Sequence, residues 1–163
     1  MNPELDHLVE AIQASGYKAA LVVTGGGSGA VHSLLSHSGA SRFVLEVQIP
    51  YSKRTMFDYL GEETENACSE ATAAIMAGRA FERAVVFTLT EVVKVPILGI
   101  SCTAALQTKQ ERKGNDRAHI HIKARDQELK RHVEFDSSDR EQQEAELSRA
   151  LLEAISEFVG VGG

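Results

Sequence analysis

The 163-residue sequence has no tryptophan, two cysteines, three prolines and no long apolar run. Cys68 and Cys102 lie in different segments without CxxC spacing, which argues against a disulfide framework or zinc knuckle and suits a reducing, cytoplasmic location. The first residues are acidic and amphipathic and lack the basic region and apolar run of a signal peptide. Because nowhere do about eighteen apolar residues follow one another, we expect no membrane span.

Basic residues are also in the minority, so the formal net charge is −6 and the pI is near 5.5. Such a chain is repelled by nucleic acid and by anionic membranes, and we expect neither as a partner. Hydrophobic residues make up 43% and charged residues 25% of the chain, an ordinary globular mixture. This length and composition predict a single domain over residues 1–163.

Short apolar runs alternate with segments of helical periodicity. Strands are predicted at 18–24, 43–49 and 96–101, and an alternating hairpin at 118–124 and 130–135. Helices are predicted after Pro3, from 30 to Gly39, from 52 to Gly61, from 70 to 84, and from Asp139 onward. Core-facing positions of the second and fourth helices include Leu35, Ile75, Met76 and Phe81. This order predicts an α/β layer fold.

The sharpest local feature is the glycine-rich turn at Thr24–Gly29, between a predicted strand and a predicted helix. Glycines allow a ligand to approach the backbone, and unpaired amides at the start of a helix can hold a phosphate or carboxylate. Thr24 and Ser28 add hydroxyl groups. The alternative is a plain tight turn, although three consecutive glycines exceed what a turn needs. The lysine of a P-loop is absent, and a match to the Rossmann pattern is weak.

The order of several motifs resembles the C-terminal domain of the CinA family. That family has a Ser-Cys-Thr-Gly-Gly turn, a Gly-Ala-Ser before the next strand, a Tyr-Ser-Asn turn into a helix, a Val-Ser-Glu helix start and a late Phe-x-Gly-Asp-Arg. The similar segments here are 23–28, 39–41, 50–53, 68–70 and 135–140, and residues 100–105 correspond to a glycine- and proline-rich loop. The resemblance covers nearly the whole chain and implies a three-layer α/β/α sandwich with a mixed sheet.

Family members of this type hydrolyse the amide of nicotinamide mononucleotide with a serine nucleophile and a lysine base. The serine position corresponds to Thr24 and the lysine position to Met56, which cannot act as a base. The resemblance therefore implies a binding domain for a pyridine mononucleotide or similar phosphorylated ligand that has lost the usual dyad, needs no cofactor or metal, and self-associates. The implied ligand-binding residues are Gly25, Gly26, Gly27, Ser28, Tyr51, Ser101, Cys102, Thr103 and Arg140.

Other interpretations stay open. Lys53 lies three residues before Met56 on the same helix face, so Thr24 or Ser28 with Lys53 could form a relocated dyad in an active amidohydrolase. A non-catalytic interaction module is a further alternative. Cys102 could be a nucleophile, but a small buried side chain is the simpler interpretation. His119 and His121 share a strand face, which we interpret as the exposed face of an edge hairpin and not as a metal site, because no third ligand is evident.

Overall fold

The computed structural model describes residues 2–109 and 115–161. Residues 107–117, whose polar sequence without a hydrophobic period predicts a loop, lie partly outside the described residues. The helices are α1 Pro3–Gln13, α2 Ser28–Ser36, α3 Lys53–Leu60, α4 Glu70–Thr88 and α5 Arg140–Val161, with a 3₁₀ turn at Ala40–Arg42. The strands are β1 Lys18–Thr24, β2 Val44–Gln48, β3 Ile97–Ala105, β4 Arg117–Lys123 and β5 Glu128–Val133. No helix in these ranges is both long and apolar enough to cross a membrane.

The five described strands form one mixed sheet in the order β2-β1-β3-β4-β5. Strands β2, β1 and β3 are parallel, and β4 and β5 are antiparallel to their neighbours. Along β1, Leu21 and Val23 pack into a core with α1, α2 and α5, whereas Ala20 and Val22 pack into a second core with α3 and α4. Burial on both faces explains why β1 reads as a continuous apolar run. The predicted α/β/α sandwich is confirmed.

Helices α4 and α5 are each preceded by a residue whose side chain caps the helix. The Ser69 hydroxyl accepts the amide hydrogen of Thr72 at 3.1 Å, and the Asp139 carboxylate accepts that of Gln142 at the same distance. Each contact satisfies an amide that has no partner within its helix. The starts of α4 and α5 therefore lie where the sequence predicts them.

Three sequence expectations were wrong. Strand β3 continues to Ala105, because β4 pairs with it as far as Ala105, so residues 102–105 are not a loop. Strand β4 lies inside the sheet, and His121 is buried beside the start of α4 instead of standing on an exposed edge. Leu35 and Ile75 face solvent, since their helices pack through neighbouring positions.

Helix α4 lies directly on β3 because Gly99 has no side chain. A Cβ there would overlap the carbonyl oxygen of Ala77 and the amide nitrogen of Phe81, both in the backbone of α4. Backbone atoms cannot move aside as a flexible side chain can. The contact therefore requires glycine.

We expect Gly99→Ala to lower the free energy of unfolding by about 2–3 kcal/mol or more, through overpacking. Gly78→Ala, in the middle of α4, is the matched control because a Cβ there meets nothing within 4 Å. It should instead stabilise the protein by about 0.5–1 kcal/mol through helix propensity. Urea unfolding of both variants measures the difference, and equal stabilities would contradict the close contact.

Candidate functional site

The glycine-rich turn follows β1 and has a backbone that requires glycine. Gly25 and Gly27 have φ values of 78° and 98°, in the left-handed region that side chains disfavour. A Cβ on Gly25 would also overlap the carbonyl oxygen of Ala104, and one on Gly26 would crowd Leu106 and other core side chains. The conformation and packing of the turn thus explain a glycine at each of the three positions. The run of three glycines alone does not indicate a ligand.

Two amides at the start of α2 donate to a side chain of the protein itself. The Gly27 amide donates to Glu144 Oε1 at 2.7 Å, and the Gly29 amide approaches Oε2 at 3.4 Å. The Ser148 hydroxyl also donates to Oε2, at 2.6 Å. The carboxylate of Glu144 therefore fills the place that the sequence suggested for a phosphate, and an anionic ligand would have to displace it.

Arg140 joins the turn to the segment before α3. Its guanidinium donates to the carbonyl of Gln107 at 3.0 Å, the hydroxyl of Tyr51 at 3.3 Å and the carbonyl of Gly25 at 3.5 Å. A small cavity of about 90 Å³ lies here. Six of its lining residues were predicted as site residues: Thr24, Gly25, Gly26, Ser28, Tyr51 and Arg140.

A larger cleft of about 610 Å³ opens beside this cavity, and Thr24 and Tyr51 line both. Thr24 is only 6% exposed, and its hydroxyl makes no hydrogen bond to any described residue. Because Thr24 lines the cleft, a ligand bound there can reach this hydroxyl. The cleft is lined by Thr24, Tyr51, Ser52, Lys53, Arg54, Met56, Phe57, Glu63, Thr64, Glu65 and Ala67.

Charges of both signs line the cleft. Lys53 and Arg54 belong to the first turn of α3, and Glu63 and Glu65 belong to the loop that follows that helix. The Arg54 guanidinium lies 5.6 Å from the centre of the Phe57 ring, within the range of a cation–π contact. The cleft thus offers cationic, anionic and aromatic groups to one ligand.

The loop after α3, which contributes Glu63, Thr64, Glu65 and Ala67 to the cleft, is fixed to the sheet by hydrogen bonds. Thr103 donates to the carbonyl of Ala67 at 2.5 Å, and Arg117 donates to that of Cys68 at 2.8 Å. The carbonyl of Asn66 accepts from the Thr72 hydroxyl at 2.8 Å. These bonds hold the backbone of residues 66–68, next to Glu63 and Glu65. No sequence pattern predicts that this loop lines the cleft.

The structure does not bring Ser101, Cys102 or Thr103 to the cleft. Ser101 is fully buried and donates to the carbonyl of Ala73 at 2.6 Å, and Thr103 is held by the Ala67 carbonyl. Cys102 lies beneath Gly27, and burial, followed by the charge of Glu144, raises the pKa of its thiol far above neutrality. A protonated, enclosed thiol is not a nucleophile, so Cys102 has a packing role.

The candidate dyad residues are divided between the two cavities. Thr24, Lys53 and Met56 line the larger cleft, whereas Ser28 lines only the small one. Met56 is nearly buried, and Lys53 is exposed and forms no ion pair with a described residue. Among the described residues no three histidine, cysteine or acidic side chains are arranged to hold a metal ion, His119 and His121 included.

Comparison with known proteins identifies the architecture. No protein-family model and no curated protein matches the sequence. A solved CinA superfamily protein from Klebsiella pneumoniae superposes with a TM-score of 0.74 at 16% identity, covering 98% of this chain and 99% of that one. The chain has the CinA superfamily fold. The competence/damage-inducible protein CihA of Agrobacterium tumefaciens agrees, with a TM-score of 0.71, 19% identity and 93% of each chain covered.

The CinA fold confirms the resemblance seen in the order of the motifs. At these identities the agreement concerns the fold alone. The ligand, the chemistry and the assembly of this chain must therefore be argued from its own residues.

The internal anion at the glycine turn leads to a prediction. Glu144→Ala should lower the free energy of unfolding by about 1–3 kcal/mol, because it leaves the Gly27 amide without its acceptor. Added inorganic phosphate should then raise the melting temperature of the variant more than that of the wild type, since the vacated amides can donate hydrogen bonds to the phosphate. Thermal melts with and without phosphate measure both effects.

Glu141→Ala is the matched control, since it removes an exposed carboxylate from the first turn of the same helix. It should cost less than about 1 kcal/mol and leave the phosphate response unchanged. Equal losses in the free energy of unfolding of the two variants would mean that the contact between Glu144 and the turn does not stabilise the fold.

Proposed function

We propose that the chain binds a pyridine mononucleotide or a similar phosphorylated ligand in the cleft beside the glycine turn, without hydrolysing an amide. The observation that carries the proposal is the cleft itself, which combines the free Thr24 hydroxyl with Lys53, Arg54 and two carboxylates. Its volume of about 610 Å³ lies within the usual range for small-molecule sites.

The distribution of charge supports a ligand of this kind. A phosphate would pair with Lys53 and Arg54 at the start of α3, where the helix amides also favour an anion. A cationic pyridinium ring would be attracted by Glu63 and Glu65 and could stack on the exposed Tyr51 or Phe57. A nicotinamide mononucleotide carries both charges in one molecule.

The residue at the position of the family's lysine supports binding without catalysis. The Thr24 hydroxyl attacks a carbonyl only if a neighbouring group removes its proton. The position that corresponds to the family's lysine holds Met56, whose thioether is a poor proton acceptor. Lys53, however, is a lysine that lines the same cleft as Thr24. This observation favours the second candidate, a relocated dyad of Thr24 and Lys53.

The binding proposal predicts that nicotinamide mononucleotide raises the melting temperature of the wild type. Arg54→Ala should weaken binding roughly tenfold or more, because a charge-assisted contact to phosphate is lost. Arg42→Ala, an exposed arginine outside the cleft, should bind normally. Titration calorimetry of the three proteins tests the prediction. Equal binding by both variants, or none by the wild type, would contradict it.

The catalytic prediction is that the wild type releases no ammonia from nicotinamide mononucleotide above background. Met56→Lys places an amine in the same cleft as Thr24 and should produce measurable turnover, which Thr24→Ala in the same background abolishes. Met56→Leu is the matched control for the loss of the methionine side chain. An ammonia-release assay with each purified protein provides the measurement.

Turnover in the wild type would reverse this conclusion. If Lys53→Ala and Thr24→Ala then abolished it, the relocated dyad would replace the binding proposal. If Ser28→Ala abolished it and Thr24→Ala did not, the nucleophile would lie in the small cavity instead.

A further inference from the structure

The protein exposes a run of apolar side chains where α4 ends and the chain turns toward β3. Five large apolar residues are exposed within eight positions, and Val92 and Val93 are 96% and 76% exposed. We name this feature the 86–93 surface; its exposed apolar members are Val86, Phe87, Leu89, Val92 and Val93. Isolated exposed apolar residues are common, but a concentrated group marks a surface that is covered by a partner.

This surface is separate from the proposed ligand site. Residues 89–96 precede β3, so the 86–93 surface lies at the amino end of that strand. Thr24 ends β1, which runs parallel to β3, so the cleft lies at the opposite end of the sheet. The two surfaces can therefore be changed independently.

The charges within the surface indicate what covers it. Between residues 86 and 95 only Glu91 and Lys94 are charged, and they flank Val92 and Val93 symmetrically. In a two-fold arrangement, residue i of one protomer meets residue j of the other and j meets i. The segment Glu91-Val92-Val93-Lys94 is complementary to a reversed copy of itself.

We propose that a second copy of this chain covers the 86–93 surface in a two-fold dimer. Val92 packs against the partner's Val93, and Glu91 pairs with the partner's Lys94. A groove of about 420 Å³ lies beside the surface, and apolar side chains of its lining can contact the partner's valines. It is lined by Val85, Leu89, Val95 and Ile97 together with Thr88, Lys94 and Arg125.

Two further observations favour a copy of the same chain over a charged partner. The segment is locally neutral although the chain carries a net charge of −6, so two protomers can meet here with little repulsion. The Lys94 ammonium donates to the carbonyls of Leu89 at 3.0 Å and Thr88 at 3.3 Å, which hold it at the edge of the surface. These contacts use two of its three hydrogens and leave one for a carboxylate.

Sedimentation velocity of the full chain over a range of concentrations tests the dimer. The wild type should dimerise, and Val92→Asp should be monomeric, because it buries two carboxylates without a partner in the apolar centre, each against a Val93. Leu35→Asp introduces the same change at an exposed leucine on α2 and should dimerise like the wild type. Thermal melts confirm that each variant is folded, as expected for exposed positions.

A charge exchange tests the pairing directly. Glu91→Lys should weaken the dimer roughly tenfold, because the two-fold axis turns two attractive pairs into two repulsive ones. Adding Lys94→Glu to the same chain should restore the affinity. A monomeric wild type, a dimer that Val92→Asp leaves intact, or a double variant no tighter than Glu91→Lys would overturn the proposal.

Discussion

The contact between Glu144 and the glycine turn fills the place at the start of α2 where an external anion would otherwise bind. The carboxylate takes the amide of Gly27, and Arg140, one helical turn earlier on α5, donates to the carbonyl of Gly25. Helix α5 thus binds an amide donor of the turn through Glu144 and a carbonyl acceptor of the turn through Arg140. The amides of Gly27 and Gly29 are satisfied internally, whereas Thr24 lines the cleft with a hydroxyl that bonds to no other described residue.

Much of the fold could be predicted because its signals are local. Strand β1 is a short apolar run buried on both faces, and the caps Ser69 and Asp139 stand next to the helices that they begin. The end of β3 could not be predicted, since residues 102–105 are small or polar and are held as a strand by pairing with β4. The burial of His121 depends in the same way on α4, a distant segment of the chain. Tertiary contacts decided both outcomes.

The candidate site could be predicted only in part. Thr24, Tyr51 and Arg140, which the order of the motifs groups into one site, line one cavity in the structure. Their role in binding stays a prediction. The role of Glu144 had no signal, because a glutamate on an amphipathic helix is usually solvated and its contact with Gly27 spans 117 residues of chain. The sequence also does not predict the lining of the cleft by Glu63, Thr64, Glu65 and Ala67. This loop is irregular, and the hydrogen bonds that fix it come from other elements.

The position of Met56 links the chemistry of the cleft to the stability of the fold. Met56 lines the cleft, but it also packs in the second core with Val22, Leu60 and Met76. A lysine there would bring a charge to the edge of that core, where desolvation favours the neutral amine that a base requires and also destabilises the folded state. The same burial that would make a lysine at this position reactive therefore makes methionine the more stable residue. A domain that only binds its ligand loses nothing by keeping the methionine, and the well-packed core around Met56 is what such a domain would be expected to retain.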